Sequence, residues 1–305
     1  MPGSHGRPSP SPGRPQGVPP YEVTPTTSGP EVVTGDQSQH QDGILISAGN
    51  EVTPVAAVDT NFVQDVGAVA CPHPTPDTFP LVSCIMPTYN RQRYVEQSIR
   101  YFLRQDYPNR ELIILDDSPQ AIDELIPADP RIHYTHLEAR MILGAKRNLA
   151  CRLAHGSIIA HWDDDDWIAP QRLRVQVELL ERQRAELCGT YRQLYYDSDN
   201  HQAWLYEYPH VARRLPLGNT LCYRKALWQR NPFPEIAVGE DTRFVWSRQV
   251  RNIAFLNDHS FYVGLIHRGN TSRKILTGAC WHSRPVEEVS MLLGPDADFY
   301  LYGKA

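Results

Sequence analysis

Basic charge is the first thing this sequence lacks. Lys and Arg number 30 against 35 Asp and Glu, a formal net charge of -5. That balance leaves no electropositive footprint and argues against nucleic acid as a partner. Long apolar runs are missing as well. None approaches the roughly 20 residues that a membrane span needs, so no integral membrane segment is expected. The first residues, MPGSHGRPSPSPGRPQG, lack the apolar core of a secretory signal. The six cysteines (Cys71, Cys84, Cys151, Cys188, Cys222, Cys280) include no CxxC pair. That counts against a zinc site or a disulfide framework and points to free thiols in a reduced compartment. A cytoplasmic protein is the expectation. Neither GxGxxG nor GxxxxGKS/T occurs, so neither the dinucleotide fingerprint nor the P-loop is available to cradle phosphate.

What is present is enough apolar material for a core: 41% of the 305 residues are hydrophobic and 21% charged. Prolines divide the chain, with more than half of its 26 lying before Leu81. Residues 1–43 read as a disordered Pro/Gly/Ser-rich tail, and 44–78 as a linker or extension without an assignable role. From 79 the pattern becomes α/β. Leu81–Met86 (LVSCIM) and Glu111–Leu115 (ELIIL) are short continuous apolar runs of the kind found in buried parallel strands. Between them, Val95, Ile99, Phe102 and Leu103 recur at helical spacing. A further helix over GAKRNLACRLA precedes the strand SIIAHW. Strand–helix–strand repeats with short loops imply a largely parallel sheet, and such sheets bind ligands at the carboxyl ends of their strands. Three polar clusters fall at that edge: PTYNR, DDS and DDDD.

The last cluster belongs to His161-Trp162-Asp163-Asp164-Asp165-Asp166-Trp167. Four adjacent carboxylates raise one another's pKa and are costly to bury unpaired. A hard divalent cation, Mn²⁺ or Mg²⁺, takes oxygen ligands and would offset their repulsion. A solvated acidic turn, or a helix N-cap at Asp166, accounts for the run equally well. Asp116-Asp117 after ELIIL can accept a hydrogen bond from a base or a ribose hydroxyl, or start a plain turn. Lys146 and Arg147 begin a helix, where positive charge opposes the macrodipole; a nearby anion would relieve that cost.

Four ordered blocks, VSCIMPTYNRQRYVEQSI, QDYPNRELIILDDS, GAKRNLACRLAHGSIIAHWDDDDW, and VGED with HRGNTS, resemble the family 2 glycosyltransferases of the GT-A fold. The resemblance runs from Val82 to about Ser272. It implies a Rossmann-like, mostly parallel central sheet with flanking helices, carrying a disordered N-terminal extension. The domain would span 79–275, with a nucleotide-sugar half at 79–168, an acceptor half at 169–275 and a C-terminal tail at 276–305. By the same resemblance Pro87, Thr88 and Asn90 lie against the nucleotide base, which Asp117 reads with Asp116 beside it. Lys146 and Arg147 face the donor. The DxD-type motif falls on Asp163, Asp164 and Asp165: Asp163 or Asp164 faces the ribose, and Asp165 is the direct metal ligand, with Asp163 and His267 as further candidates. Glu240-Asp241 matches the motif whose aspartate is the general base of inverting members. In a helix's first turn these two would also be ordinary acidic residues.

The implied reaction is a metal-dependent, inverting transfer of a sugar from a nucleoside diphosphate sugar, a UDP-sugar first among them, to an unidentified acceptor hydroxyl. Two other readings compete: a nucleotidyltransferase, for which PTYNRQRY is a poor phosphate loop, and a non-catalytic sugar-nucleotide-binding relative. The bulky His161 and Trp162 depart from the family pattern, and Asp166 makes the motif's register ambiguous by one position.

Overall fold

A computed structural model describes residues 79–208 and 215–303. The expected tail (1–43) and linker (44–78) lie outside the described residues. The expected apolar runs form the centre of a sheet. β1 (Val82–Thr88) pairs in parallel with β2 (Arg110–Asp116) and with β4 (Ile158–His161), and β2 pairs in parallel with β3 (Ile132–His136). Every residue of β2 is buried, as a strand covered on both faces requires. Beyond β4 come β9 (Cys222–Arg224), antiparallel to both its neighbours, then β6 (Leu187–Thr190) and β10 (Ile253–Leu256), giving seven strands in the order β10-β6-β9-β4-β1-β2-β3.

Strand alternation sends successive side chains to opposite faces, and two cores result. Cys84, Met86, Leu112, Ile114, Ile158 and Ala160 pack with α1 (Gln92–Leu103) and α3 (Arg172–Gln183). Ile85, Ile113, Leu115 and Ile159 pack on the other side with α2 (Leu143–Leu153), α4 (Lys225–Arg230) and α5 (Glu240–Trp246). In α1 the buried Val95, Ile99 and Phe102 form the inward stripe that their spacing predicts.

A second, five-stranded sheet has the order β12-β8-β7-β11-β5. It combines β5 (Trp167–Ile168), β7 (Arg192–Asp197), β8 (Gln202–Glu207), β11 (Tyr262–Ile266) and β12 (Trp281–Arg284). Its edge strand corrects the expected boundary at 275. Residues 281–284 pair antiparallel with β8, and α6 (Val286–Leu293) and α7 (Ala297–Leu301) bury Val289, Leu293, Phe299 and Tyr300 in the first core. The physical reason is that these residues carry an apolar stripe of their own, Val286, Val289 and Leu293, at helical spacing. Among the described residues Cys84, Cys151, Cys188, Cys222 and Cys280 are free thiols.

Candidate functional site

The carboxyl ends of β1 and β4 open on two adjoining cavities of about 360 and 440 Å³. The first is lined by Asp163 to Asp166, Arg147 and Asp241, among others. The second is lined by Pro87, Thr88, Tyr89, Arg140 and Lys146, and both share Arg91 and Asp164.

The acidic run is held by a frame of buried groups. Trp162 is fully buried, donates Nε1–H to Ser98 Oγ at 2.9 Å and meets the Phe102 ring edge-on. Trp167 donates to Asp296 at 2.9 Å. Beneath the run lies the fully buried Arg172, whose Nη2 donates to the carbonyls of His161 (2.6 Å) and Asn219 (3.2 Å) and whose guanidinium stacks on Trp162 and Tyr262. The bulky residues before the run are thus structural. His161 is itself buried, bonds the Gly218 carbonyl through Nδ1 at 2.7 Å, and burial with nearby Arg147 holds its imidazole well below the usual range, hence neutral.

The four aspartates have different tasks. Asp166 is no helix cap: its oxygens accept Leu265 N–H (2.8 Å) and Asn219 Nδ2–H (2.9 Å), joining β11 to the 218–220 turn. Burial, then Asp165 and Asp163, push it up to about 8. Burial also pushes Asp164 up to about 6 against the attraction of Arg91. Asp165 goes the other way. Burial is outweighed there by His267 and Arg91, so its carboxyl lies below the usual range. Its Oδ2 receives Arg91 Nη1 (2.7 Å), Asn270 Nδ2 (3.1 Å) and a ring nitrogen of His267 (3.0 Å). Arg91 Nη1 also reaches Asp164 Oδ1 at 2.6 Å. The guanidinium thus holds the place between two carboxylates where a cation is electrostatically favoured. Asp163 is the most open of the run, its side chain 28% exposed, with Arg147 Nη2 3.6 Å away. Asp163 and Asp165 offer carboxylate oxygens of the kind that Mn²⁺ or Mg²⁺ takes, and the His267 imidazole is against Asp165.

Arg147 continues inward to Glu240, its Nε 3.1 Å from Oε1. Glu240 is buried, which pushes its carboxyl up; it is not in the lining of these two cavities but lines a third beside them, of about 280 Å³, together with Arg147 and Asp241. Asp241, the next residue on α5, does line the cavity; its Oδ1 accepts Thr242 N–H at 2.6 Å. Its carboxylate lies directly against Gly218, so a side chain at that turn would have to push the Asp241 carboxylate aside.

Around the second cavity, Asp117 accepts from Arg140 (2.7 Å), Met141 N–H (2.8 Å) and Lys146. Lys146 Nζ also donates to the Thr88 carbonyl at 3.0 Å, and burial lowers its pKa. The dipole cost of Lys146 and Arg147 in α2 is therefore offset by Asp117 and Glu240. Asp116 and Asn90 stand apart from both cavities. Asp116 is fully buried and accepts Ser118 N–H (2.9 Å) and Tyr134 OH (3.0 Å). Asn90 takes a left-handed turn at φ 52 and donates its N–H to Ser118 Oγ at 2.7 Å. Arg91, Arg140 and Asn270 were not singled out from sequence; Arg91's place in the PTYNR loop was the available signal. An aromatic wall of Tyr195, Tyr206 and Trp281 closes the far side of the first cavity, the rings of Tyr206 and Trp281 4.8 Å apart.

The family model of glycosyl transferase family 2 matches residues 83–237, just over half of the chain. The chain belongs to that family. Similar curated relatives include a putative colanic acid biosynthesis glycosyl transferase of Escherichia coli, WcaA, 45% identical over 101 residues, which cover 32% of this chain and 36% of the relative. A putative teichuronic acid biosynthesis glycosyltransferase of Bacillus subtilis, TuaG, is 35% identical over 33% of this chain and 42% of its own length. The chain thus spans less than half the length of these two family 2 relatives. Among solved structures, residues 1–349 of S. aureus TarS in complex with UDP-GlcNAc superpose with a TM-score of 0.51 at 21% identity, covering 63% of this chain and 60% of that one. The expected GT-A fold of the family is accordingly present.

Proposed function

We propose that this family 2 chain transfers a sugar from a nucleoside diphosphate sugar to an acceptor hydroxyl, with inversion at the anomeric carbon. The observation that carries the reading is the convergence of Asp163, Asp165, Arg147 and Asp241 on one cavity at the carboxyl ends of β1 and β4. A UDP-sugar is the first donor to test, since TarS 1–349, which shares the fold, is described with UDP-GlcNAc. A divalent cation held by Asp163 and Asp165, with His267 beside them, would supply charge stabilisation for the departing diphosphate, worth several kcal/mol.

The chain's own residues supply the rest. Arg91 and Arg147 line the same cavity as the aspartates and offer guanidinium donors to phosphate oxygens, the geometry such groups bind best. Asp241 takes the proton of the acceptor hydroxyl while that oxygen bonds to the anomeric carbon. The bond from this carbon to the diphosphate oxygen breaks, and its electron pair leaves with the nucleoside diphosphate. General-base help of this kind contributes about 10²–10⁴ in rate. Glu240, paired with Arg147 behind Asp241, positions rather than reacts. The wall of Tyr195, Tyr206 and Trp281 offers apolar ring faces with polar tips, which suits a polyol acceptor.

The test is to incubate the chain with UDP-, GDP- and dTDP-sugars and Mn²⁺ and to follow nucleoside diphosphate release, sensitive to Asp165→Ala. In a separate incubation with a nucleoside triphosphate and a sugar 1-phosphate, release of pyrophosphate would instead indicate nucleotidyl transfer. No turnover despite nucleotide binding would indicate a non-catalytic relative. The described residues contain no helix long and apolar enough to cross a membrane, and the cytoplasmic assignment is part of this proposal.

A further inference from the structure

At the opposite edge of the same sheet, three residues far apart in sequence meet. Glu111 is at the start of β2, His133 at the start of β3, and His155 in the turn between α2 and β4. Their ligand-capable atoms all lie within 4.8 Å of one another. The two oxygens of Glu111 have divided tasks. Oε1 accepts Ser83 Oγ–H at 2.5 Å and His155 N–H at 2.7 Å, and Ser83 Oγ in turn accepts Gly156 N–H at 2.8 Å. Those bonds lock the carboxylate in place. Oε2 is then met by two imidazole nitrogens, His155 Nδ1 at 2.9 Å and His133 Nε2 at 3.2 Å.

Two imidazole nitrogens and a carboxylate oxygen meeting at one point are the ligand types and the grouping that a coordination sphere needs. Tetrahedral zinc with bonds of about 2.0–2.1 Å sets adjacent ligand atoms roughly 3.3 Å apart; the two oxygen–nitrogen spacings here, 2.9 and 3.2 Å, are close to that. The Glu111 side chain is 7% exposed, whereas those of His133 and His155 are 44% and 70% exposed. An ion can therefore arrive from solvent and keep a water in its remaining position. The hydrogen bonds that fix Glu111 are the outer-shell support that metal-ligating carboxylates require.

We propose that Glu111, His133 and His155 form a binding site for a zinc-type divalent transition-metal ion, at the sheet edge opposite the carboxylate cavity. Two imidazoles with one carboxylate favour such an ion over Mg²⁺, which the all-oxygen run across the sheet suits better. The bound ion ties β2, β3 and the α2–β4 turn together. The site does not depend on the transfer reading.

The experiment uses the full chain, stripped with EDTA and titrated with Zn²⁺ by calorimetry and with Co²⁺ by its ligand-field absorption. Wild type is compared with His133→Ala, His155→Ala and Asp165→Ala, and circular dichroism and melting in EDTA confirm that the variants are folded. The expected result is a Zn²⁺ equivalent and a tetrahedral Co²⁺ spectrum in wild type and Asp165→Ala. Each histidine variant should lose about tenfold or more in affinity, together with the zinc-induced rise in melting temperature. Unchanged affinity in either histidine variant would overturn the site, as would loss of the ion in Asp165→Ala alone.

Discussion

The two ends of the central strands both bury carboxylates, in opposite ways. At the amino-terminal end Glu111 is a single charge with every oxygen supplied with donors: Ser83, the His155 amide and two imidazoles. Those bonds outweigh its burial and hold its carboxyl below the ordinary value. At the carboxyl end, four aspartates are crowded into one loop, and burial drives Asp164 up to about 6 and Asp166 up to about 8. The first arrangement satisfies its charge through hydrogen bonds even without an ion. The second carries an electrostatic cost that a fold tolerates where charge has work to do. One sheet thus separates a satisfied edge from a strained one, and the strained one is where the cavities open.

The sharpest way to test that contrast is at Asp241. Asp241→Asn should cut sugar transfer by about 10²–10⁴ while nucleotide affinity, measured by calorimetry, stays at the wild-type value. Loss of both together would place Asp241 in donor binding instead.

The frame under the acidic run comes next. Arg172→Met keeps much of the volume but leaves the His161 and Asn219 carbonyls without their donor. Each buried orphan costs about 1–3 kcal/mol, so the urea midpoint should fall clearly. A midpoint equal to wild type would mean that the run does not depend on the cation beneath it.

A smaller effect belongs to the satisfied edge. Glu111 is held below its ordinary value of 4.5, with burial opposing and the Ser83 and His155 hydrogen bonds prevailing. Its folded form therefore binds fewer protons than its unfolded form in that range. Its stabilisation is complete above about 4.5 and disappears as pH falls through the folded value. In EDTA, Glu111→Gln should flatten the acid limb of the stability profile, removing about 1.5–3 kcal/mol of charge-assisted bonding at neutral pH. An unchanged acid limb would contradict the assignment. Smallest of all, His133→Ala in EDTA should shift stability by less than about 1 kcal/mol, as expected for a half-exposed pairing.

How far the sequence could be read follows the same divide. The central strands were legible because LVSCIM, ELIIL and SIIAHW are apolar runs that stop abruptly at polar residues, and β1, β2 and β4 fall where they do. Loops that follow such strands are local in sequence, so PTYNR, DDS and DDDD could be assigned to one edge. What depended on distant partners was not legible. Glu111, His133 and His155 share no local pattern, and Arg172 reads as a surface residue until Trp162 and Tyr262 close over it. The second sheet was missed at its edge because Trp281–Arg284 has no strand signature of its own and is fixed by pairing with β8. Asp116 and Asp117, adjacent in sequence, diverge because a strand turns successive side chains to opposite faces. One is sealed against Tyr134 while the other faces Lys146.

The central claim is that the strained edge binds a nucleoside diphosphate through a divalent cation at the aspartate run. The direct measurement is the melting temperature with UDP, GDP, dTDP and CDP, each with and without Mn²⁺, for wild type and Asp165→Ala. At 100 times the dissociation constant, binding stabilises the fold by about 2.7 kcal/mol. The account predicts a Mn²⁺-dependent rise with at least one nucleotide in wild type and none in Asp165→Ala. No rise with any nucleotide, or an equal rise in the variant, would contradict it.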